Sequence, residues 1–541
     1  MKGKSTNRMG RSKKSMVTVK LLVDNERNRI VFAESDKDFI DILFSFLTMP
    51  VATIVRLVGK ESKESDLGCM DMLYKSVKDL DIMHLQSETC KNMLTHPTSA
   101  SEEECKNLAV VIDDTEITRY YRCRTYQCST HNHRLITTVK NAKCRCEGPM
   151  IEEVPKCSRV ATDDAADGVF VKGSHKFMIS DDLKISVLST RACLSLFKKL
   201  GISEGIALEE RVVYVNDVVV LHLLKQSLLS KTPLSDVFLP ERGKGDQVDL
   251  EPKVLAPGER EMTTGGEKMC MKLQQRKSNK VSHAKDQEDC VTFLAILLGS
   301  VTELLCSNMK NVLNTYGKKI SIKLLRRKSK EKVVYAEVGE DFINLLFSFL
   351  TFPLGSIAKF FNGHTSMGCV DKLYKSVGNL KDHMKSDQCK ALLLDPKLPP
   401  YFGCKNQLLR ISEVAPFQPL ISYCHRCFVV GTAPDFGKCP HGRETVQLRA
   451  MNPVHLDGKI KSGGFVKGPT RFMVTDDLHV EPLSVIAGIS IVNRFNLPMS
   501  DLKEQFVNVG EEEALNLLKA SLLSQTALSD AFLTVENEAL Q

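Results

Sequence analysis

Alternating hydrophobic and polar residues mark the start of the first regular part of the chain. From Val19, the stretches "VKLLV" and "RIVFA" flank the polar turn "DNERN", a pattern that predicts a β-hairpin. A helix is predicted to follow, with Ser35, three residues before Asp38, as its N-terminal cap. The side chains expected on its buried stripe are Phe39, Ile40, Leu43, Phe46 and Leu47.

The same pattern returns about 300 residues later. "VKLLVDNERNRIVFAESDKDFIDILFSFLTMP" from Val19 is matched by "IKLLRRKSKEKVVYAEVGEDFINLLFSFLTFP" from Ile322. "FVKGSHKFMISDDL" returns as "FVKGPTRFMVTDDL", and "LLKQSLLSKTPLSDVFL" returns as "LLKASLLSQTALSDAFL", in the same order. Internal repetition of this kind predicts two tandem copies of one domain, at 17–240 and 320–535.

Within each copy, strand pairs mix with helices without a regular βαβ alternation, which predicts an α+β fold. Residues 1–16 are expected to be a basic disordered tail, and 241–319 a linker rich in Gly, Pro, Lys and Glu. An extra apolar helix is predicted at about 291–316. Its most apolar run, "VTFLAILLGSVTELLC", is shorter than the ~20 residues that span a bilayer, so no membrane span is predicted.

Composition adds limits on the partners. The chain has 541 residues, 43% hydrophobic and 26% charged, as in soluble globular proteins, and its net charge is +8. Residues 1–16 carry six Lys or Arg and no acids, and residues 240–319 carry thirteen basic and eleven acidic residues. The two copies are therefore close to neutral. Together with the absence of Trp, this disfavours nucleic-acid binding by the folded copies.

Eighteen cysteines suggest either a disulfide framework or reduced thiols that can bind metal. The N-terminal stretch "MKGKSTNRMGRSKKSM" lacks the apolar core of a secretory signal. Reduced thiols and a cytoplasmic or nuclear location are therefore expected.

Four cysteines of the first copy, and three cysteines with a histidine in the second, form paired ligands around a hairpin-sized segment. The predicted sets are Cys123, Cys128, Cys144 and Cys146, and Cys424, Cys427, Cys439 and His441. Tetrahedral zinc takes four thiolate or imidazole ligands, so the exchange of Cys146 for His441 preserves the ability to bind it. Each copy is thus predicted to carry a zinc-knuckle-like cysteine hairpin with a structural zinc ion, because a complete ligand set leaves no position for a reacting water.

Two alternatives remain open at these hairpins. The cysteines can be buried or surface thiols without metal. Cys404, preceded by an aromatic pair in "YFGC" as Cys123 is in "YYRC", can replace Cys424 or Cys427 as a ligand, and His131, His133 or His425 can replace a cysteine. The cysteines expected to be core thiols are Cys69, Cys90, Cys369 and Cys389.

Repeated acidic pairs are the other candidate for chemistry. They are Asp181-Asp182 and Asp476-Asp477, each following a Val-Lys-Gly that contains Lys172 or Lys467. Two carboxylates near a lysine can hold a cation or a phosphate. However, consecutive strand residues face opposite sides, and Asp pairs are common in turns, so turn chemistry is favoured here.

The repeated motifs "KLLVD", "FVKG…FM..DDL" and "LL..SLLS.T.LSD.FL" resemble those of the plant proteins grouped as the domain of unknown function 674 family. The resemblance covers both copies and implies a plant origin and a tandem architecture, without an activity, substrate or site.

Function is therefore argued from the residues. No phosphate-binding loop, dinucleotide fingerprint, nucleophile elbow or zinc-protease motif occurs in the sequence. A non-catalytic protein-binding or scaffold protein is expected, with an unidentified protein partner. The alternatives are a nucleic-acid-binding protein that uses the zinc knuckles and the basic tail, and an enzyme with a site near the Asp-Asp motif.

Overall fold

The computed structural model describes most of both copies. The described ranges are 16–60, 66–124, 135–154, 167–202, 208–239, 319–403, 407–414, 421–423, 430–432, 446–447, 449–452, 464–494 and 498–533. The predicted tail, and the predicted linker with its extra helix, fall outside them except for Met16 and Lys319, and they remain predictions.

The first copy combines strands and helices as predicted. Its strands are β1 (Val17–Asp24), β2 (Arg29–Ser35), β3 (Tyr120–Cys123), β4 (Leu135–Ile136), β5 (Ala142–Lys143), β6 (Pro149–Val154), β7 (Phe177–Ser180), β8 (Ile185–Val187) and β9 (Leu208–Val215). Its helices are α1 (Lys37–Ser45), α2 (Val51–Val58), α3 (Met70–Asp79), α4 (Glu88–Thr95), α5 (Glu102–Cys105), α6 (Thr190–Leu200), α7 (Asp217–Leu229) and α8 (Pro233–Phe238). Short 3-10 helices occupy Phe46–Thr48 and Ile82–His84.

The second copy repeats this order. Its strands are β10 (Ile320–Arg327), β11 (Lys332–Val338), β12 (Ile421–Tyr423), β13 (Val430–Thr432), β14 (Val446–Gln447), β15 (Arg449–Ala450), β16 (Phe472–Thr475), β17 (Val480–Pro482) and β18 (Leu502–Val509). Its helices are α9 (Glu340–Thr351), α10 (Leu354–Phe360), α11 (Val370–Asn379), α12 (Asp387–Leu394), α13 (Val485–Arg494), α14 (Glu511–Leu523) and α15 (Ala527–Phe532), with 3-10 turns at Lys381–His383 and Met499–Asp501.

Each copy is built on a five-stranded antiparallel sheet. The strand orders are β8-β7-β2-β1-β9 and β17-β16-β11-β10-β18. Leu21 pairs with Ala33 in the first hairpin, and Leu324 pairs with Ala336 in the second. The pairing register shifts after Leu22 in the first hairpin and after Leu325, the equivalent residue, in the second. The two copies therefore share even this irregularity of strand pairing. The chain is α+β, and its two copies share one sheet topology.

The predicted N-terminal cap of α1 is wrong. Ser35 stays in β2, where it pairs with Phe177 of β7, and the N-cap position is occupied by Asp36, whose side chain makes no capping hydrogen bond. The strand therefore continues one residue further than the capping pattern suggested, because β7 is available to pair with it.

The predicted stripe of the first helix is fully buried, but so is most of the rest of the helix. Phe39, Ile40 and Leu43 are 0% exposed, and Ile42 and Phe44, on other sides, are at most 1% exposed. Helix α1 is covered because it also packs against α11 of the second copy. Contacts with both copies therefore bury more of this helix than the single predicted stripe.

The two copies form backbone hydrogen bonds with each other next to Pro50 and Pro353, which occupy equivalent positions in the two repeats. Val51 N–H donates to the Phe352 carbonyl at 3.0 Å, and Leu354 N–H donates to the Met49 carbonyl at 3.0 Å. The first residues of α2 and α10 are thus held by the opposite copy.

Reciprocal contacts also join the third helix of each copy to the other copy's sheet. The Ser76 hydroxyl of α3 accepts the Val480 N–H of β17 at 2.9 Å. The Ser376 hydroxyl of α11 accepts the Ile185 N–H of β8 at 2.9 Å. Each sheet is therefore completed on its outer strand by a helix that the other copy provides.

A second reciprocal pair fixes the starts of these helices. Cys69 N–H donates to the Ser521 carbonyl at 2.9 Å, and Cys369 N–H donates to the Ser227 carbonyl at 2.7 Å. The described parts of both copies accordingly belong to one compact unit with a shared hydrophobic core. Among the helices of the described ranges, none has the length and apolarity needed to cross a membrane.

Candidate metal centre

The cysteine-rich part of the first copy is a small antiparallel sheet of its own. Its strand order is β3-β6-β5. Cys123 is the last residue of β3 and pairs with Met150 of β6, while Cys144 directly follows β5. Cysteines that are far apart in sequence therefore meet at one end of the same sheet.

A tight turn presents the second pair of thiols. Cys144 N–H donates to the Gly148 carbonyl at 3.0 Å, and Glu147 N–H donates to the Cys144 carbonyl at 2.8 Å. Glu147 adopts a left-handed conformation with a φ of 61°, which lets the chain reverse within the turn. Cys144 and Cys146 stand on the two sides of this turn with one residue between them.

Three thiols converge at this place. The Sγ atoms of Cys123, Cys144 and Cys146 all lie within 4.8 Å of one another, and those of Cys123 and Cys146 are 3.4 Å apart. None of the three is in a disulfide, and Cys144 is only 4% exposed. Sulfurs that share a tetrahedral zinc ion at about 2.3 Å lie roughly 3.8 Å from each other. The cluster therefore fits three corners of a metal site.

The fourth predicted ligand of this set, Cys128, lies outside the described residues. It occupies the sequence segment that leaves β3 directly after Cys123. The structure thus brings together three of the four cysteines and leaves the assignment of Cys128 as a prediction.

The predicted second set cannot be placed, since Cys424, Cys427, Cys439 and His441 all lie outside the described residues. The neighbouring backbone is described: β12 pairs antiparallel with both β13 and β14. The two cysteine regions also touch, because β15 of the second copy pairs in parallel with β4 of the first.

Cys105 is a clearer counterpart of Cys404 than Cys123, which shares with Cys404 only a preceding aromatic pair. Cys105 follows Cys90 by 15 residues, Cys404 follows Cys389 by the same distance, and both open the tripeptide Cys-Lys-Asn. Cys404 itself is outside the described residues, whereas the Cys105 thiol lies 3.6 Å from the Thr48 hydroxyl, away from the cluster. This spacing favours leaving Cys404 out of the metal set.

A comparison with known protein families shows which family the chain belongs to. The model of a family described as "Protein of unknown function (DUF674)" matches residues 13–312 and 306–512. The chain belongs to the DUF674 family. The predicted resemblance and the tandem arrangement are thus confirmed. No curated protein and no solved structure matches the chain.

In this DUF674 protein the repeated thiols outside the hairpin are core residues, as predicted. Cys69 and Cys369 are at most 1% exposed, and burial raises the pKa of each thiol to about 12. Their Sγ atoms donate across the two copies, Cys69 to the Ser524 carbonyl at 3.0 Å and Cys369 to the Ser230 carbonyl at 3.2 Å. Cys90 is also buried, and Cys389 is half-buried.

The repeated acidic pairs hold turns and helix starts. Asp181 accepts the backbone N–H and the hydroxyl of Ser235, at 2.8 and 2.6 Å. Asp476 does the same with Ser529, at 2.8 Å for both bonds. Burial raises the pKa of both carboxyls. These first members of each pair are tied to α8 and α15.

The second members of the pairs close the strand turns. Asp182 accepts the Ser180 hydroxyl at 2.5 Å, and Asp477 accepts the Thr475 hydroxyl. The Lys172 ammonium donates to the Asp382 backbone carbonyl at 2.8 Å rather than to either carboxylate. The arrangement is that of turn chemistry, and it gives the proposed Asp-Asp enzyme site no support.

A buried carboxylate escaped the sequence reasoning. Asp41 of α1 is 2% exposed and accepts the backbone N–H groups of Val169, Phe170 and Val171, at 2.5, 2.8 and 3.1 Å. Burial raises its pKa to about 6. The duplication contains the signal that could have found it, since "DFID" is matched by "DFIN".

Asn344 performs the same task in the second copy. Its side-chain oxygen accepts the N–H groups of Phe465 and Val466 at 2.7 and 3.2 Å. A neutral amide thus holds the equivalent segment through one oxygen, without a charge. The Asp41 carboxylate uses both oxygens, Oδ1 for Phe170 and Val171 and Oδ2 for Val169.

Replacing Asp41 by Asn should therefore raise stability relative to wild type as the pH rises, although the amide nitrogen cannot accept the Val169 N–H. A protein with an acid whose folded pKa lies above its unfolded value loses stability as the pH rises from the unfolded pKa to the folded pKa. With values of 3.8 and about 6, that loss is fully present above about pH 6 and is at most about 3 kcal/mol. Urea unfolding should show the stability of Asp41→Asn relative to wild type rising between pH 4.5 and pH 7.5, because only the wild type loses stability as Asp41 ionises.

The converse change, Asn344→Asp, is the matched control and should lower stability at pH 7.5. An Asp41→Asn effect that is independent of pH, or destabilisation that grows with pH, would contradict the assigned cost of ionising Asp41.

Proposed function

We propose that this DUF674 protein is a non-catalytic protein-binding scaffold, with a body of two interlocked copies and a structural zinc ion on the cysteine hairpin. The observation that carries the binding role is an exposed apolar helix face in the second copy. The outer apolar patch is formed by Val485, Ile486 and Ile489 of α13, which are 80%, 81% and 50% exposed.

The duplication shows that this patch is not a requirement of the fold. Helix α6 begins three residues after β8, and α13 begins three residues after β17, so Thr190 and Arg191 occupy the places of Val485 and Ile486. The first copy thus builds the same helix with a polar start. The apolar side chains of the second copy are available for binding rather than for folding.

The chemistry of the patch favours a protein partner. The stretch 483–493 reads "LSVIAGISIVN" and contains no charged residue, although the equivalent stretch of the first copy, 188–198, carries Arg191 and Lys198. An uncharged apolar surface offers nothing to a phosphate backbone, whereas it matches the apolar face of a helix or strand from another protein. The expected occupant is therefore an uncharged apolar segment of a different protein.

The metal would have a structural role and not a catalytic one. Cys123, Cys144 and Cys146, with Cys128 as the predicted fourth ligand, would fill all positions of a tetrahedral zinc ion. Such a site ties the ends of β3 and β5 together. It adds stability to a sheet whose strands are at most six residues long.

The binding role is tested with the double variant V485T/I486R, which gives α13 the residues of α6. Ser490, exposed next to the patch, is first replaced by a photo-cross-linking amino acid to identify the neighbour in cells. The purified partner is then titrated into wild-type and variant protein by calorimetry. V485T/I486R should weaken binding at least tenfold while the midpoint of thermal unfolding stays unchanged.

The reciprocal variant T190V/R191I is the control and should leave the affinity unchanged. Equal affinities of wild type and V485T/I486R would overturn the proposal. So would cross-linking only to a second copy of this chain, or flotation with phosphatidylcholine vesicles that V485T/I486R abolishes.

A further inference from the structure

The first copy contains a cavity that the function proposed above does not use. It has a volume of about 340 Å³ and lies between α1, the segment 98–117 and Val220 of α7. Its inner wall includes Ile42, Met49 and Val110, each at most 6% exposed. A cavity of this size and lining is typical of sites for small organic ligands.

The second copy has a buried apolar side chain at a position equivalent to one that lines the cavity. Ser99 and Leu398 each lie nine residues after the matched cysteines Cys90 and Cys389, so they are equivalent positions. Leu398 is 0% exposed and belongs to the hydrophobic core. Ser99 is half-buried and donates its hydroxyl to the Thr48 carbonyl at 3.0 Å.

A neighbouring position changes in the same way. Glu103 of the first copy corresponds to Phe402 of the second, which is 7% exposed and packs in the core. The first copy thus carries smaller or more polar residues where the second copy has apolar side chains.

The lysine of the cavity lining is already paired within the protein. Lys106 forms ion pairs with Glu102 at 3.2 Å and with Glu103 at 2.9 Å. Glu102 also accepts the hydroxyl of Thr118 at 2.6 Å. The cation that lines the cavity is therefore neutralised and is not offered to an anion.

Acidic groups also outnumber basic ones in the lining. The lining contains the acids Glu102, Asp113, Asp114 and Glu116 and the base Lys106. Behind it, Arg56 pairs with Asp113 and Asp114, and Lys60 also pairs with Asp114. The mouth is thus slightly acidic. Such a mouth repels anionic ligands and tolerates neutral or positively charged ones.

We propose that this cavity binds a small, mainly apolar organic molecule that is neutral or cationic, of about the size of two or three fused or linked rings. The apolar wall would bury its rings, and the acidic mouth would accept an amine or hydroxyl at its exposed end. This site is independent of the outer apolar patch, which lies in the other copy.

The test uses two fluorescent probes that differ by one charged group. N-phenyl-1-naphthylamine is neutral, and 8-anilinonaphthalene-1-sulfonate carries the same rings with a sulfonate. Both are titrated into protein with the V485T/I486R substitutions, so that binding to the outer patch does not contribute. Saturable binding of the neutral probe at one site per chain is expected, with the sulfonate at least tenfold weaker.

The variant Ser99→Leu introduces the residue that the second copy has at the equivalent position, Leu398, and should weaken binding of the neutral probe at least tenfold. Ser195→Leu, on the exposed side of α6, is the matched control and should have no effect. Unchanged binding in Ser99→Leu, or tighter binding of the sulfonate, would overturn the proposal.

If Ser99→Leu does not fold, protection of the Cys105 thiol from alkylation provides a second test of the proposal. The Cys105 thiol lines the cavity, so saturating N-phenyl-1-naphthylamine should slow its alkylation by N-ethylmaleimide at least fivefold, as mapped by peptide mass spectrometry. An alkylation rate of Cys105 that the probe does not change would equally overturn the proposal.

Discussion

Replacing Cys144 by Ser should release one zinc ion per chain and unfold the cysteine hairpin of the first copy. Cys144 is the most buried of the three converging thiols, and a hydroxyl is a poor substitute for a thiolate ligand. Structural zinc contributes roughly 10–16 kcal/mol of apparent binding free energy in small zinc domains, far more than a sheet of this size gains from packing. Hydrogen exchange of the amides in 120–123 and 142–154 should accelerate at least a hundredfold.

Cys193→Ser provides the matched control. Cys193 lies in the same copy, on α6, where its thiol contacts the Met178 sulfur at 3.9 Å. This variant should keep its zinc content and its exchange rates in the hairpin. Equal protection of the hairpin amides in wild type and Cys144→Ser would show that the three thiols converge without a metal.

The second large effect is expected when the copies are separated. A chain that ends at residue 240 should not unfold cooperatively, because its helices lose their partners. Helix α9 of the second copy packs against α2, α3 and α4 of the first. Leu73 and Val77 of α3 are 0% exposed, and fully exposing a side chain of this size costs about 1.5–3 kcal/mol. A few such losses equal the whole stability of an ordinary domain, about 5–15 kcal/mol.

Cleavage within the linker is the control for this prediction. With a protease site inserted between the copies, the two fragments should stay associated after the cut and unfold together in urea. If residues 1–240 alone gave a cooperative transition with a midpoint near that of the full chain, the copies would be independent domains.

Local structure was largely predictable from the sequence, because short-range patterns determine it. The opening hairpin, the helix after it and the turn role of Asp182 all follow from side-chain periodicity and turn chemistry. The buried positions Cys69 and Cys369 follow from their apolar neighbours. Each of these features depends on residues close together in sequence.

Features that depend on the other copy could not be predicted in this way. Similarity between repeats shows that they share a fold, but it does not show that Ser76 of one copy holds β17 of the other. The one-sided stripe expected for α1 is buried all round for the same reason. The convergence of Cys123 on Cys144 depends on strand pairing within the hairpin, which ligand spacing alone suggested but did not establish.

The visible absorption spectrum of the protein reconstituted with cobalt(II) tests the central claim most directly, since cobalt reports both the ligands and the openness of a zinc site. A closed, structural site on Cys123, Cys128, Cys144 and Cys146 predicts intense tetrahedral bands with thiolate charge transfer, which added imidazole does not change. Weak bands of six-coordinate cobalt, a spectrum that imidazole shifts, or no bound cobalt in the folded protein would contradict a structural metal on this scaffold.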